Sequence, residues 1–382
     1  MIVIPATKER ARGPYFWTTW IFWLTYVLFG FAGLANFQGT TTRLILQTVV
    51  KLWICIIGLP WLAFRTISPD RLPALHKAIT GMMCAGALLA IYQFFDSQSM
   101  KFILVQEGRG AGLWENPNHC GIFLTITLFL SFIPEWKVSI VAWGIRALLI
   151  IAILMTLSRA AYLGIFVGSL FYALAYGKFS RFASAIFLTA MFGVGLVIFM
   201  QLVDQNVIPL ENEKLRSRIS STLMLLQGDF TNVEKDLDRF HLWESAIDQV
   251  REEGNLVTGS GHGSMLFIKK TRHAPHNDYI QFFGDGGIVG LTAYLCFYGM
   301  LLRQAWRCQN PRLRSALGAC ALVFMTYGIT ADKFLALHAT APLMVLMAMW
   351  GYYGRTIPPD DKAQAFRTGL IRRSIVSSAI PT

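Results

Sequence analysis

Charge is what this chain has least of. Asp, Glu, Lys and Arg make up 15% of its 382 residues, against 54% hydrophobic, and the mean hydropathy is +0.47. A soluble domain carries about a quarter charged residues, so a water-soluble fold is excluded. Cysteine is sparse too. Cys55, Cys84, Cys120, Cys296, Cys308 and Cys320 include no Cys-x-x-Cys pair, and none lies in the polar stretch 204–286. That excludes a disulfide framework and a thiolate zinc site, and leaves these residues as small apolar fillers among helices. Two signatures are also missing: a Gly-x-x-x-x-Gly-Lys-Ser/Thr loop and a Gly-x-Ser-x-Gly elbow. Neither a P-loop nucleotide site nor a nucleophile elbow is therefore expected. The alternating strand pattern of an outer-membrane barrel is absent as well.

What the chain has in abundance is apolar runs. About 20 helical residues cross about 30 Å of hydrocarbon, and runs of that order recur at 15–35, 44–64, 78–95, 119–134, 138–157, 160–177, 182–203, 287–303, 313–331 and 337–353. Helices satisfy their own backbone in lipid. The expected fold is therefore an all-α polytopic bundle of about ten to twelve transmembrane helices. It divides into N-terminal transmembrane helices (1–203), one large, partly helical outer loop (204–286), C-terminal transmembrane helices (287–355) and a cytoplasmic tail (356–382). The first apolar run, behind Lys8, Arg10 and Arg12, is too long for a signal-peptide core and reads as an uncleaved anchor.

The net charge of +12 invites a nucleic-acid reading, which its distribution opposes. With the N-terminus inside, Lys8, Arg65, Lys77, Lys137, Arg181, Arg307 and Arg373, among others, fall on the cytoplasmic side. The short outer loops hold only Arg43, Lys101, Arg109, Arg159 and Lys333. This is the positive-inside asymmetry, so the basic excess sets topology and both termini are expected in the cytoplasm. The 204–286 loop then lies outside, with 13 of the 22 acidic residues. Within it, Phe240, Trp243, Ile247 and Val250 recur at helical spacing. They predict an amphipathic helix over 238–250 against the membrane domain, capped by Asp236 or Asp238 and ended by Gly254.

Residues able to do chemistry gather around that loop. His273-Ala-Pro-His276-Asn277-Asp278 precedes Gly284-Asp-Gly286-Gly287 and an apolar segment. His276 is the natural proton acceptor, because imidazole ordinarily titrates near neutral pH; the alternative is a histidine that only caps the next helix. Asn277 and Asp278 can orient it, bond sugar hydroxyls, or cap that helix. His273 and His276, with His262 and Asp278 nearby, are also a partial metal set, but Pro275 favours an extended turn and no four-ligand spacing is complete. Arg109, Arg159, Arg239 and Arg272 stand at the outer edge. Guanidinium forks suit a diphosphate if they converge; otherwise they meet lipid headgroups or loop acids. Asn116 reads as a cap with Pro117 in the first helical position. Lys51 and Arg146 fall inside apolar runs and must snorkel or pair; without acidic partners in neighbouring spans they form no proton relay.

Taken in order, several landmarks resemble the O-antigen ligase and polymerase superfamily of bacterial envelope glycosyltransferases. They are Gly110-Ala-Gly112 leading to Asn116-Pro117-Asn118, Ser158-Arg159 opening a span, Asp238-Arg239 with Trp243, Gly259-Ser-Gly261-His-Gly263, and His276-Asn277 with Gly284, Gly287 and Gly290. The resemblance covers roughly residues 80–335. It implies a metal-independent, inverting glycosyltransferase of the C type, without a cofactor, in the bacterial inner membrane with a periplasmic active site. The donor it implies is a glycan on undecaprenyl diphosphate. The acceptor would be lipid A–core for a ligase, or another glycan for an O-antigen or exopolysaccharide polymerase. Membrane lipids are the remaining partner, and no nucleic acid is expected.

Carried over by position, His276 would be the general base, with Arg159 and Arg239 on the diphosphate. Arg109, Asn116, Asn118, Arg272, His273, Asn277 and Asp278 would line the substrate. The chain departs from the ligases in its span count, ten where about twelve are usual. A single large outer loop favours the ligase over the polymerase. A transporter or flippase of the same lipid-linked glycan would use the arginines without needing His276 as a base.

Overall fold

From Cys120 to Leu130 every side chain is buried, so apolar surface runs all the way round this helix. Such a helix can only lie at the centre of a bundle. The computed structural model describes residues 59–67, 71–95, 109–133 apart from Glu115, 139–176, 234–253, parts of 256–268, 273–329 and 337–353, with Ile54 and short pieces between 193 and 220. The anticipated spans 15–35, most of 44–64 and most of 182–203, together with Lys51, Arg272, His262 and the tail 356–382, lie outside the described residues.

Nine α-helices are described, in the order α1 (Leu59–Thr66), α2 (Leu72–Phe95), α3 (Pro117–Leu130), α4 (Ser139–Met155), α5 (Arg159–Tyr176), α6 (Glu234–Glu253), α7 (Asp278–Trp306), α8 (Pro311–Gly328) and α9 (Leu337–Tyr353). Among the described residues there is no strand. α2, α5 and α7 are long and apolar enough to cross a membrane, while Pro117–Leu130, Ile140–Met155 and Pro342–Gly351 are shorter apolar helices. The chain is a polytopic membrane helical protein, as its composition requires.

Helix starts follow local chemistry. Asn116, Asn277 and Asn310 each accept backbone N–H groups of the helix that follows, and Pro117 and Pro311 open theirs. Both devices satisfy or remove donors that a helix N-terminus leaves unpaired.

α3 and α8 form the core, and α5 lies close against α8. Glycine makes that approach possible. A Cβ on Gly318 would sit inside van der Waals range of the Phe171 ring, and one on Gly168 would meet Phe129 at 2.5 Å and Val323 at 3.0 Å. Small residues allow this intimacy between membrane helices, where no hydrophobic force drives association.

Among the described residues, Arg146 meets its expected cost inside α4 on a carbonyl and an aromatic ring. It donates to the Ser131 carbonyl at 3.3 Å and lies 4.1 Å over the Phe132 ring, so the cation meets the carbonyl end of α3 and an aromatic face.

α7 is not one rod. Gly287 inside it has φ 60 and ψ −155. Along a straight helix Asp278 and Tyr294 would stand about 24 Å apart, yet the Tyr294 hydroxyl donates to Asp278 Oδ2 at 3.2 Å. Phe282 also stacks on Tyr294 at 4.6 Å. The limb 278–286 therefore folds back along the limb 288–306.

The segment 256–261 closes both ends of this break. Ser260 N and Gly261 N donate to the carbonyls of Gly284 and Asp285, while Ile288 N and Val289 N donate to the carbonyls of Leu256 and Val257. Glycine is required on both sides of the crossing: a Cβ on Gly287 would meet the Val257 carbonyl at 2.3 Å, and one on Gly259 would meet Gly287 N at 2.5 Å. Gly259 and Gly261, met in the sequence as a landmark, thus belong to a backbone clamp.

α6 is the expected amphipathic helix, begun four residues earlier. Ala246 and Val250 pack with Met265, Ile268, Ile280 and Phe283, which seats α6 on the folded-back limb.

Candidate functional site

Arg109 decides the architecture of one end of the bundle. It is 4% exposed. Its Nε donates to the Thr156 carbonyl at 3.0 Å, and its Nη2 to the Leu157 carbonyl at 3.3 Å and to Asn118 Oδ1 at 2.8 Å. These are charge-assisted bonds to the carbonyl end of α4 and to the first turn of α3. Gln93 of α2 holds the same loop. Its Oε1 accepts from Ala111 N at 2.9 Å and Gly112 N at 2.7 Å, and Gly110 N donates to the Met155 carbonyl. Three helices, α2, α3 and α4, therefore meet on one loop.

That loop fixes the turn leading to Arg159. Leu157 has φ 47, a conformation disfavoured for a side chain with a Cβ. Ser158 Oγ accepts from Ala161 N at 3.3 Å, capping α5, and Arg159 is the half-buried first residue of that helix. A guanidinium then stands beside the positive end of a helix dipole, which favours an anion.

The histidine side is built by a second set of contacts. Trp243 of α6 donates its Nε1–H to the Pro275 carbonyl at 2.9 Å, fixing the residue before His276. Asn277 Oδ1 accepts from Tyr279 N and Ile280 N, so His276 hangs between a tethered proline and a capped helix. His276 itself has φ 49 and is exposed. His273 is exposed too, and its carbonyl accepts from Ile268 N at 3.3 Å.

The two sides meet around the end of α8. The Tyr279 hydroxyl donates to the Met325 carbonyl at 2.9 Å, and the His119 ring meets Tyr327 edge-on at 6.0 Å. Asn118, next to His119, accepts from Arg109.

The sequence-derived residues thus divide by what occupies them. Arg159, His273 and His276 carry exposed or half-buried side chains at this end. Arg109 and Asn118 hold each other, Asn116 and Asn277 cap helices, and Asp278 is fully buried on Tyr294. The backbone of Arg239 is in α6, but its side chain, like Arg272, lies outside the described residues. Among the described residues no three His, Cys, Asp or Glu side chains form a group able to hold a metal.

Sequence reasoning passed over Gln93, Tyr294 and the Trp243 indole N–H as site-building groups. Trp243 entered as an apolar position and a landmark, not as a donor. Nothing local marks Gln93 or Tyr294, because their partners lie 16 to 19 residues away.

Residues 145–295 match the family described as O-antigen ligase. The match supports the O-antigen ligase/polymerase superfamily. A search of curated proteins finds no match. The matched segment runs from mid-α4 into the second limb of α7, so it includes Arg159, Arg239, Arg272, His273, His276, Asn277 and Asp278. Arg109, Asn116 and Asn118 precede it. Superfamily and fold together support glycan transfer by a membrane protein, with a lipid-linked glycan and an acceptor as its partners.

Proposed function

We propose that this protein is an inverting glycosyltransferase that moves a glycan from undecaprenyl diphosphate to an acceptor hydroxyl. We place the reaction at the periplasmic face of the inner membrane and favour lipid A–core as acceptor, the O-antigen ligase reaction. The observation that carries this is the O-antigen ligase segment, which spans both Arg159 and His276.

His276 removes the proton from the acceptor hydroxyl as that oxygen attacks the anomeric carbon from the face opposite the diphosphate. The carbon–oxygen bond to the diphosphate breaks, and its electron pair leaves with the phosphate oxygen. Arg159 at the start of α5, with Arg239 from α6, neutralises that growing charge in place of a divalent metal. Arg272 and His273 contribute to substrate binding in this reading. Arg109 is a positioning residue in this reading: its guanidinium holds the turn from which Arg159 projects. Asn277 and Asp278 act likewise on His276 through the cap and the Tyr294 bond.

A lipopolysaccharide gel tests the reading. Cells lacking the gene should show bare lipid A–core, restored to a ladder by the wild-type chain but not by His276→Ala. A core bearing one repeat unit would instead establish a polymerase. An unchanged ladder would exclude both reactions on lipopolysaccharide.

A further inference from the structure

The limb 288–306 leaves one stripe bare. Ile288, Thr292, Leu295, Cys296, Gly299, Arg303 and Trp306 are exposed, at spacings of three and four, while Tyr294, Phe297, Tyr298 and Leu301 on the other side are buried. In a polytopic membrane protein the exposed apolar stripe of a spanning limb is the surface lipid covers. Nineteen residues rise about 28 Å, close to the full hydrocarbon thickness of about 30 Å. Ile288 therefore stands at the hydrocarbon edge, on the side of the loop segment.

Leu256 and Val257 are tied to that level, since their carbonyls accept from Ile288 N at 2.9 Å and Val289 N at 3.3 Å. Their side chains are 54% and 53% exposed, beside Ile288 at 57%. Three exposed aliphatic residues are thus joined through their backbone at the end of the bare stripe. We infer that the Leu256–Val257 turn is a wedge of the 204–286 segment, seated among the acyl chains of the adjoining leaflet.

Backbone at membrane depth is costly unless its polar groups are paired. Here the two carbonyls hold the amides of Ile288 and Val289, and Ser260 N and Gly261 N are bonded to Gly284 and Asp285, so the clamp can enter the hydrocarbon edge. The wedge also fixes a depth. The clamp joins it to Gly284 and Asp285, and from there the folded-back limb leads to His276. This inference does not rest on the proposed reaction.

The test uses the full chain in lipid nanodiscs whose acyl chains are brominated near the glycerol. A fluorescent amino acid is introduced by nonsense suppression at Leu256 and, separately, at Val257. Leu295 serves as the lipid-facing reference, and each labelled protein in nanodiscs without bromine gives its own unquenched level. Each labelled protein is first required to melt as wild type does. Quenching at 256 or 257 comparable to that at 295 is the expected result. Quenching at 295 with none at either wedge position would overturn the inference.

Discussion

Left-handed backbone at a residue with a side chain is disfavoured by about 1–2 kcal/mol, and among the described residues only Leu157 and His276 adopt it without being glycine. One leads to Arg159 and the other is the proposed base. Strain of this kind persists where surrounding contacts over-determine it, and both positions have such contacts: Arg109 on Leu157 O, and Trp243 on Pro275 O. His276→Gly separates fold from chemistry. It should melt no lower than wild type, because glycine adopts this φ freely, yet form no product on the lipopolysaccharide gel. A drop in melting temperature would mean that the imidazole itself supports the fold. The two arginines should separate in the same way. Arg109→Ala removes charge-assisted bonds inside the protein, each worth about 1.5–3 kcal/mol, and should sharply lower the yield of folded protein. Arg159→Ala should melt near wild type and lose glycan transfer.

At the scale of elements, the broken helix α7 carries the most consequence. Without the break, Asp278 and Tyr294 could not meet, and the histidine two residues before Asp278 would stand well beyond the start of the limb 288–306. The sequence reading places His276 at the mouth of a span beginning at 287. In the structure the helix begins at Asp278, and its first limb folds back beside the limb 288–306, because glycine at 287 accepts φ 60 and segment 256–261 pairs both broken ends. Gly287→Ala adds a Cβ at 2.3 Å from the Val257 carbonyl. It should open the clamp, seen by hydrogen exchange as lost protection at the amides of Ser260, Gly261, Ile288 and Val289. Unchanged protection at those four amides would show that the clamp does not depend on the glycine.

For the whole molecule, stability rests on close packing of α5 on α8 and of both on α3. Gly318→Val forces a branched side chain into the Phe171 ring. Overpacking of this kind typically costs about 1–3 kcal/mol, and a lower melting temperature in detergent is expected, with the effect eased by pairing it with Phe171→Ala. That rescue distinguishes a packing clash from loss of glycine as such.

The sequence by itself determined the class of this protein and the starts of helices such as α3. Hydropathy is summed over neighbouring residues, and caps such as Asn116-Pro117 act within one helical turn, so both are local and legible. The helix α6 was legible for the same reason, through the period of Phe240, Trp243, Ile247 and Val250, although Phe240 is exposed and Ala246 packs beside Val250 instead. What the tertiary structure alone decided is the use of each polar group. An arginine in a loop reads as a phosphate ligand until Thr156 and Leu157, 47 and 48 residues on, are seen to accept from it. Asp278 reads as a sugar contact until the chain folds back and brings Tyr294 to it. Both partners are distant in sequence, and no local pattern of charge or hydropathy records a bond that only chain reversal makes.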